Sequence, residues 1–325
     1  MSVPLFSIVI TCHNQAEFIA VAVESALAQR NLSKEVIVVD DGSTDGSQEV
    51  LEKYARSIEL VKLPTNRGAI EARNYGARLA GGSYLVFLDG DDALMPSALD
   101  VYEDIIVERA PTIIAARALW FEGEIPRDDT PARRSVQFFE YKSFIDKDRP
   151  CGLSASTWVV ERAAFVHAGG WTPGIFQLDL VDLATKLSCS GRSILVCEPN
   201  TVFYRIHSGN SIHTVPPFLQ MASVILRKER ASEYPGGRQC QFKRRAWLGG
   251  VVFFWIKRAL RVHLFREAIA LVVVGWPMIF AAVVRRAAAF VRGRSPIMKF
   301  DSPRRPIYTN CLEIEKEDEH ANIEG

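Results

Sequence analysis

Three nearly continuous apolar runs, at residues 6–11, 35–39 and 84–88, leave this chain few folds to choose from. A strand that is apolar at consecutive positions must be covered on both faces, and such strands belong to parallel sheets sandwiched between helices. Helical spacing fills the gaps. Phe18, Val21, Ala22, Ser25 and Ala26 share one face of a helix expected over 16–30. A second helix is expected to run to Tyr54, capped by Ser43 or Thr44, with others over 68–79 and 96–110 and a strand at 58–63. The alternation predicts an α/β fold, Rossmann-like, with a mostly parallel sheet and helices on both faces.

Further along, the pattern weakens. Residues 113–120 read as one strand, 122–148 as a loop-rich polar insertion, 151–160 as strand-like, and 181–190 as a helix ending at Gly191. After about Thr214 the character changes. Two apolar stretches, 246–256 and 268–284, are punctuated by Lys257, Arg258, Arg261, Arg266, Arg285, Arg286, Arg292 and Arg294. Between residues 241 and 300 stand twelve Lys or Arg against one acid, Glu267, although the whole chain has a net charge of only +1. The second stretch is seventeen residues long and broken by Gly275 and Pro277, whereas a spanning helix needs about twenty apolar residues. A basic amphipathic hairpin lying on an anionic membrane is therefore expected, removable from the rest at about Ala246. Helices packed on the body of the protein with Arg outward are the alternative. Three regions result: 1–214, with halves at 1–110 and 111–214; a helical, basic region at 215–300; and an acidic tail at 301–325, expected to be disordered.

Six scattered cysteines form no CxxC pair, so neither a zinc site nor a disulfide framework is indicated, and a reducing compartment is expected. The near-neutral charge gives no pull toward nucleic acid. The N-terminal residues read as a first strand, with no basic segment of a signal peptide before them.

Ligands of open α/β sheets bind where strand carboxyl ends converge. Three strand ends carry polar groups: Thr11-Cys12-His13-Asn14, Asp40-Asp41-Gly42-Ser43 and Asp89-Gly90-Asp91-Asp92. A single Asp at such a place caps helices well, which is the plain alternative for Asp41. Three acids on one tight turn repel one another unless a cation sits among them, and hard oxygen ligands select Mg2+ or Mn2+ alongside substrate phosphates. A GxxxxGK[ST] loop is absent, so this is a diphosphate site of another kind. A nucleotidyltransferase would want a Gly-rich loop with a Lys between residues 7 and 16, which has neither.

In order, SIVITCHN, VVDDGSTDGS, NRGAIEARNYG and LVFLDGDD resemble the N-terminal half of family 2 glycosyltransferases of the GT-A fold. The resemblance implies that Asp41 and Asp40 contact the nucleoside, that Arg73 lies near the base or diphosphate, that Asp89 contacts the ribose and that Asp91 ligates the metal. His13 stands where family members often have an aromatic, so either it stacks on the base or it is a surface histidine. Thr11 and Asn14 complete the expected nucleotide-sugar site. Downstream, Ser154–Trp158 and Ala168-Gly169-Gly170-Trp171 resemble the family's acceptor-side strand and turn. The family's E-D-x-D stretch, aligned through Lys186 and Asp182, puts Asp179 at its Glu and Leu180 at the general base. Leucine cannot accept a proton. Asp179 and Asp182, expected on one helix face, are the candidate catalytic residues; a base from elsewhere in the chain, and Asp182 as a merely solvated or capping residue, are the alternatives. Tyr204-Arg205-Ile206-His207 resembles the family's YRxH segment, which makes His207 a second candidate metal ligand.

The implied activity is inverting sugar transfer from a nucleoside-diphosphate sugar to a glycan or lipid-linked acceptor in polysaccharide or cell-envelope synthesis. Mn2+ or Mg2+ would assist, with no organic cofactor, in the cytoplasm on the inner face of the membrane. A catalytically impaired sugar-nucleotide-binding or scaffold protein of the same fold is the alternative that Leu180 keeps open.

Overall fold

The computed structural model describes residues 3–30, 33–126, 135–146, 154–210, 215–292 and 298–301. Strand and helix alternate from the start: β1 (Phe6–Cys12), α1 (Ile19–Leu27), β2 (Lys34–Asp40), α2 (Ser47–Glu52), β3 (Glu59–Lys62), α3 (Ala69–Leu79) and β4 (Tyr84–Asp89). β1 is buried at every position, as its unbroken apolar run demands of a central strand. Then come β5 (Ala93–Leu94), α4 (Ala98–Arg109), β6 (Ile113–Ala115), β7 (Ala118–Phe121), β8 (Ser135–Tyr141), β9 (Trp158–Glu161), α5 (Arg162–His167), α6 (Asp179–Lys186), β10 (Ser193–Glu198) and β11 (Val202–Arg205). The chain continues through α7 (Val215–Arg230), α8 (Gly237–Arg261), α9 (Phe265–Arg292) and β12 (Met298–Asp301).

Nine strands form the main sheet in the order β12-β8-β10-β6-β9-β4-β1-β2-β3, and β5-β11-β7 form a small second sheet. β1, β2, β3 and β4 run parallel, whereas β9 is antiparallel to β4 and β6. Register settles what meets at the carboxyl ends: Thr11 lies opposite Asp89, and Cys12 opposite Asp40. One core, beneath α1 and α4, covers one face of the sheet. The other, larger core gathers α3, α5 and α6 together with α7, α8 and α9.

Several expectations need correction. α2 begins at Ser47 behind Gly46, not at a Ser43 or Thr44 cap. Those two residues are drawn toward β1 instead: Ser43 Oγ accepts from the Asn14 amide, and the Thr44 amide donates to Asn14 Oδ1. Residues 113–120 split between two sheets, since β6 joins the large one and β7 the small one. The supposed insertion at 122–148 contains β8, whose Val136 and Phe138 face one core while Phe139 and Tyr141 face the other. Its charged flanks hid a two-sided strand. β10 and β11 were not anticipated as strands. Cys189 and Cys240, treated as unrelated, bring their sulfurs together between the end of the α6 segment and α8. Residues 151–153 and the acidic tail from 302 lie outside the described residues.

α8 and α9 pack against each other closely enough that a side chain at Gly249 would strike the carbonyl of Met278. Phe218 of α7 stacks on Trp255 of α8 at 4.2 Å. Arg244 of α8, buried, donates to Glu229 of α7 at 2.8 Å, and both stand in the protein interior. Trp247, Leu248, Val252 and Trp255 belong to the larger core, so cutting at Ala246 would open it. The outer side of the pair differs. Phe265, Ile269, Val273, Trp276, Phe280 and Val283 each stand more than half exposed along one stripe of α9.

Candidate functional site

Parallel register places three loops side by side at the carboxyl ends of β1, β2 and β4. Asp41 accepts hydrogen bonds from the amides of Arg67 at 2.8 Å and Gly68 at 2.7 Å, tying the β2 loop to the entrance of α3. Gly42 is required beside it: its φ is +66°, and a Cβ would lie 2.7 Å from the Asn66 amide nitrogen. His13 is half-buried at the rim. Its Nδ1 meets the Asp41 carbonyl at 2.8 Å, and its Nε2 meets Asn66 Nδ2 at 2.8 Å. Asn14, exposed and at φ +53°, bridges to Thr44. Thr11 is almost wholly buried in the floor.

Asp40 departs from expectation. It is fully buried, and its Oδ2 accepts from the Ser43 amide and from Gln48 Nε2 at 2.7 Å. It shapes the turn from inside and does not face the opening toward a nucleoside. Cys12 is not a nucleophile here, because burial pushes its thiol up to about 11.

Arg73, on α3, joins two parts of the chain. It donates from Nη2 to Asp89 at 2.6 Å and from Nη1 to Asp179 at 2.8 Å, and its guanidinium lies 5.4 Å from the Trp171 ring centre. Burial weakens the charged form of Arg73, but the two carboxylates outweigh this and raise its pKa. A strand-end acid and the first residue of α6, ninety positions apart, thus share one cation.

The β4 loop separates its acids by role. Asp91 is half-buried and lies 2.9 Å from His207 Nε2. Burial first, and then the charge of Asp89, hold the Asp91 carboxyl above its ordinary range. Asp92 is buried, accepting from Ser156 Oγ at 2.6 Å and from the Arg205 amide at 3.0 Å, and burial raises its pKa strongly. Ser156 Oγ in turn accepts from the Asp89 amide. Arg205 donates to the Asp91 carbonyl at 3.1 Å and lies over the rings of Phe18 and Phe121. Of three adjacent acids, Asp89 and Asp91 face the opening and Asp92 locks the loop to β9 and β11.

On α6 the two candidate acids part company. Asp179 meets Arg73. Burial raises its pKa, with the Arg73 charge opposing. Asp182 is 1% exposed and surrounded: Lys228 Nζ at 2.6 Å and Tyr234 Oη at 2.6 Å donate to Oδ1, and Thr172 Oγ1 at 2.5 Å donates to Oδ2. No acceptor can reach it. The expectation that 179 and 182 share a working face fails because Lys228 of α7 and Tyr234 beyond it close over Asp182 within the first turn of α6. Leu180 lies in the larger core.

Sequence reasoning did not single out Ser156, Lys228 or Tyr234 as individual residues. Ser156 sits in a motif that was noticed only for its strand. Lys228 and Tyr234 come from a helical region whose charges suggested a solvated surface.

A three-layer α/β sheet with acids at adjacent strand ends and a second, small sheet beneath them defines a GT-A fold. Solved structures share it. The chain superposes on Staphylococcus aureus TarS 1–349 in complex with UDP-GlcNAc at a TM-score of 0.58, with 16% identity over 89% of this chain and 92% of that one. It superposes on the mannosyltransferase PcManGT of Pyrobaculum calidifontis, in complex with GDP-Man and Mn2+, at 0.51, with 16% identity over 87% of each. Residues 7–167 match the Glycosyl transferase family 2 model. Those residues, about half of the chain, belong to that family. The chain is 36% identical over 164 residues to a putative teichuronic acid biosynthesis glycosyltransferase of Bacillus subtilis, covering 49% of this chain and 63% of that protein. It is 39% identical over 230 residues to the succinoglycan biosynthesis protein ExoO of Rhizobium meliloti, covering 64% and 62%. It is 27% identical over 209 residues to the Escherichia coli UDP-Glc:alpha-D-GlcNAc-diphosphoundecaprenol beta-1,3-glucosyltransferase WfaP, covering 63% and 79%. The chain spans less than two thirds of the length of the first curated relatives it matches.

Proposed function

We propose that this protein transfers a glycosyl group, with inversion, from a nucleoside-diphosphate sugar to a glycan or lipid-linked acceptor in cell-envelope polysaccharide synthesis. The observation that carries the reading is Arg73, bonded at once to Asp89 on the nucleotide side and to Asp179 on the acceptor side. Asp179 takes the acceptor hydroxyl's proton while that oxygen attacks the anomeric carbon opposite the departing diphosphate. The bond to the diphosphate breaks as the glycosidic bond forms. Burial makes Asp179 a stronger base than an exposed carboxylate, and Arg73 keeps it oriented and ionised. Asp41, His13, Asn14 and Thr11 line the nucleoside end. Asp179 keeps a carboxylate at the site despite Leu180, which favours an enzyme over a silent binding protein.

The donor class agrees with the UDP-sugar and GDP-sugar named for WfaP, TarS and PcManGT. Mn2+, present in the last of these, is a fitting partner here too. Among the described residues no three His, Cys, Asp or Glu side chains gather into a cage. Asp91 and His207 do offer two adjacent donors, and ions of this kind complete their shells with substrate phosphates and water. Bound there, Mn2+ or Mg2+ would supply positive charge to the departing diphosphate.

The exposed stripe of α9 supports attachment to the inner membrane leaflet. Its apolar side chains suit the acyl boundary, and Lys257, Arg258, Arg261, Arg266 and Arg286 suit anionic headgroups. By length and composition 265–288 could also cross a membrane, but one third of its most apolar window is covered by the protein. That supports a helix lying flat.

A thermal-shift panel of UDP, GDP, CDP and dTDP, with and without Mn2+, tests the donor reading. At least one should raise the melting temperature more with the metal than without. If none raises it under either condition, the proposal fails.

A further inference from the structure

Just before Asp179 the chain makes an unusual turn. Ile175 and Leu178 are pinned in the larger core; of the two residues between them, Phe176 stands outside it and Gln177 is half-buried. Phe176 stands 56% exposed, although Ile175 and Leu178 on either side of the turn are buried. Gln177 adopts φ +66°, and the Leu178 amide donates to the Phe176 carbonyl at 2.8 Å across it. This is the strained form of the three-residue γ-turn, rarely adopted by a residue with a side chain. The Gln177 side chain offers no local compensation. Its Oε1 is buried and has no hydrogen-bond partner among the described residues.

Each feature alone is ordinary. Together they put an exposed aromatic face, a shielded carboxamide with free bonding capacity, and a strained backbone within three residues of a carboxylate held by Arg73. Strain and unmet polar groups persist where a ligand makes use of them. Sugars offer what both groups lack: a C–H face that packs on an aromatic ring, and hydroxyls that both donate and accept. The oxygen is shut off from solvent where it stands, so the carboxamide swings outward to meet a hydroxyl, which can pair with either end of the amide.

We propose that Phe176 and Gln177 form the acceptor-sugar subsite, the ring covering one face of a pyranose and the carboxamide bonding a hydroxyl next to the one attacked. The proposal rests on the transferase reading above and assigns to it the residues that choose the acceptor. Gln177 then selects by hydroxyl configuration, because an epimer directs that oxygen elsewhere and leaves the amide unpaired.

The full chain, saturated with UDP and Mn2+, is titrated with a panel of methyl pyranosides of glucose, galactose, mannose and N-acetylglucosamine. Saturation-transfer NMR reads binding. Phe176→Ala removes the ring, and Gln177→Gly removes the amide while tolerating the positive φ at no steric cost. At least one glycoside should give a signal that falls threefold or more in each variant, and Phe176→Tyr should restore it. The UDP-induced melting shift should be the same in all four proteins. Unchanged glycoside signals in Phe176→Ala and Gln177→Gly would overturn the assignment. So would wild-type protein that binds UDP but none of the glycosides, or a Phe176→Ala protein that loses binding to anionic vesicles while its glycoside signal stands. Wild-type protein that binds no nucleoside diphosphate sinks the transferase reading itself, a separable result.

Discussion

At the ends of β1, β2 and β4 the acids owe their places to strand register, whereas on α6 the fate of each acid is decided by what packs over it. Thr11, Asp40 and Asp89 come together because parallel pairing brings the ends of adjacent strands together. Asp179 and Asp182 are three residues apart on one short helix, yet one faces Arg73 and the other is enclosed by Lys228, Tyr234 and Thr172. Equivalent residue types thus divide into a carboxylate held at the site by Arg73 and an enclosed, structural one through long-range packing. The same division recurs within the β4 loop, where Asp91 meets His207 and Asp92 locks the loop.

The sharpest way to break this comparison is Asp91→Ala. Transfer should be abolished and Mn2+-dependent nucleotide binding lost, read by calorimetry with and without the metal. The fold should survive, because removing one carboxylate from a like-charged cluster relieves repulsion. Mn2+-dependent binding retained by the variant would remove Asp91 from the site.

Next, Asp179→Asn should lower kcat by about 10²- to 10⁴-fold with nucleotide affinity nearly unchanged. Because burial raises the Asp179 pKa, its carboxylate is protonated at a higher pH than an exposed one, whose pKa is about 3.9. The wild-type rate should therefore fall on the acid side with a midpoint above that value. An acid limb at the ordinary carboxylate position would point to an exposed base elsewhere.

Asp182→Ala should act on stability, not chemistry. It leaves the Lys228 ammonium in a largely buried site without its carboxylate, a loss on the order of 3–5 kcal/mol in denaturant unfolding. Should Asp182→Ala instead keep its stability and lose rate as Asp179→Asn does, the roles of the two acids are reversed.

The smallest effect is expected far from the acids. Ile269→Glu with Phe280→Glu should weaken sedimentation with anionic vesicles, each lost side chain contributing about 1.5–3 kcal/mol of apolar transfer at most. Transfer to a soluble acceptor should continue at the parental rate.

What could be read from the sequence follows the same line. The donor-side motifs were legible because a strand end, a turn glycine and an acid lie within four residues of one another, and parallel register does the rest. Arg73 was legible as a site residue, but its bridge to Asp179 was not, since no local pattern reports a contact across a hundred positions. Asp40 was misassigned because adjacent acids look alike until one is buried. β8 was missed because its apolar residues feed two cores, which mimics an irregular polar segment. The C-terminal helices were recognised as apolar and basic, but packing of their inner faces on the body of the protein stood only as the alternative, because one composition serves both a packed face and an exposed one.

Those inner faces have a mechanical consequence. α9 shares the larger core with α3 and α6, and Gly249 lets α8 lie flush against the α9 backbone at Met278, so the exposed stripe cannot swing independently of Asp179. A copy resting on a bilayer by that stripe would hold its reaction centre at one altitude and one tilt. Such a molecule would behave as a ruler, extending saccharides whose growing end stands at that height above the headgroups and passing over those that are too short or have already grown beyond its reach.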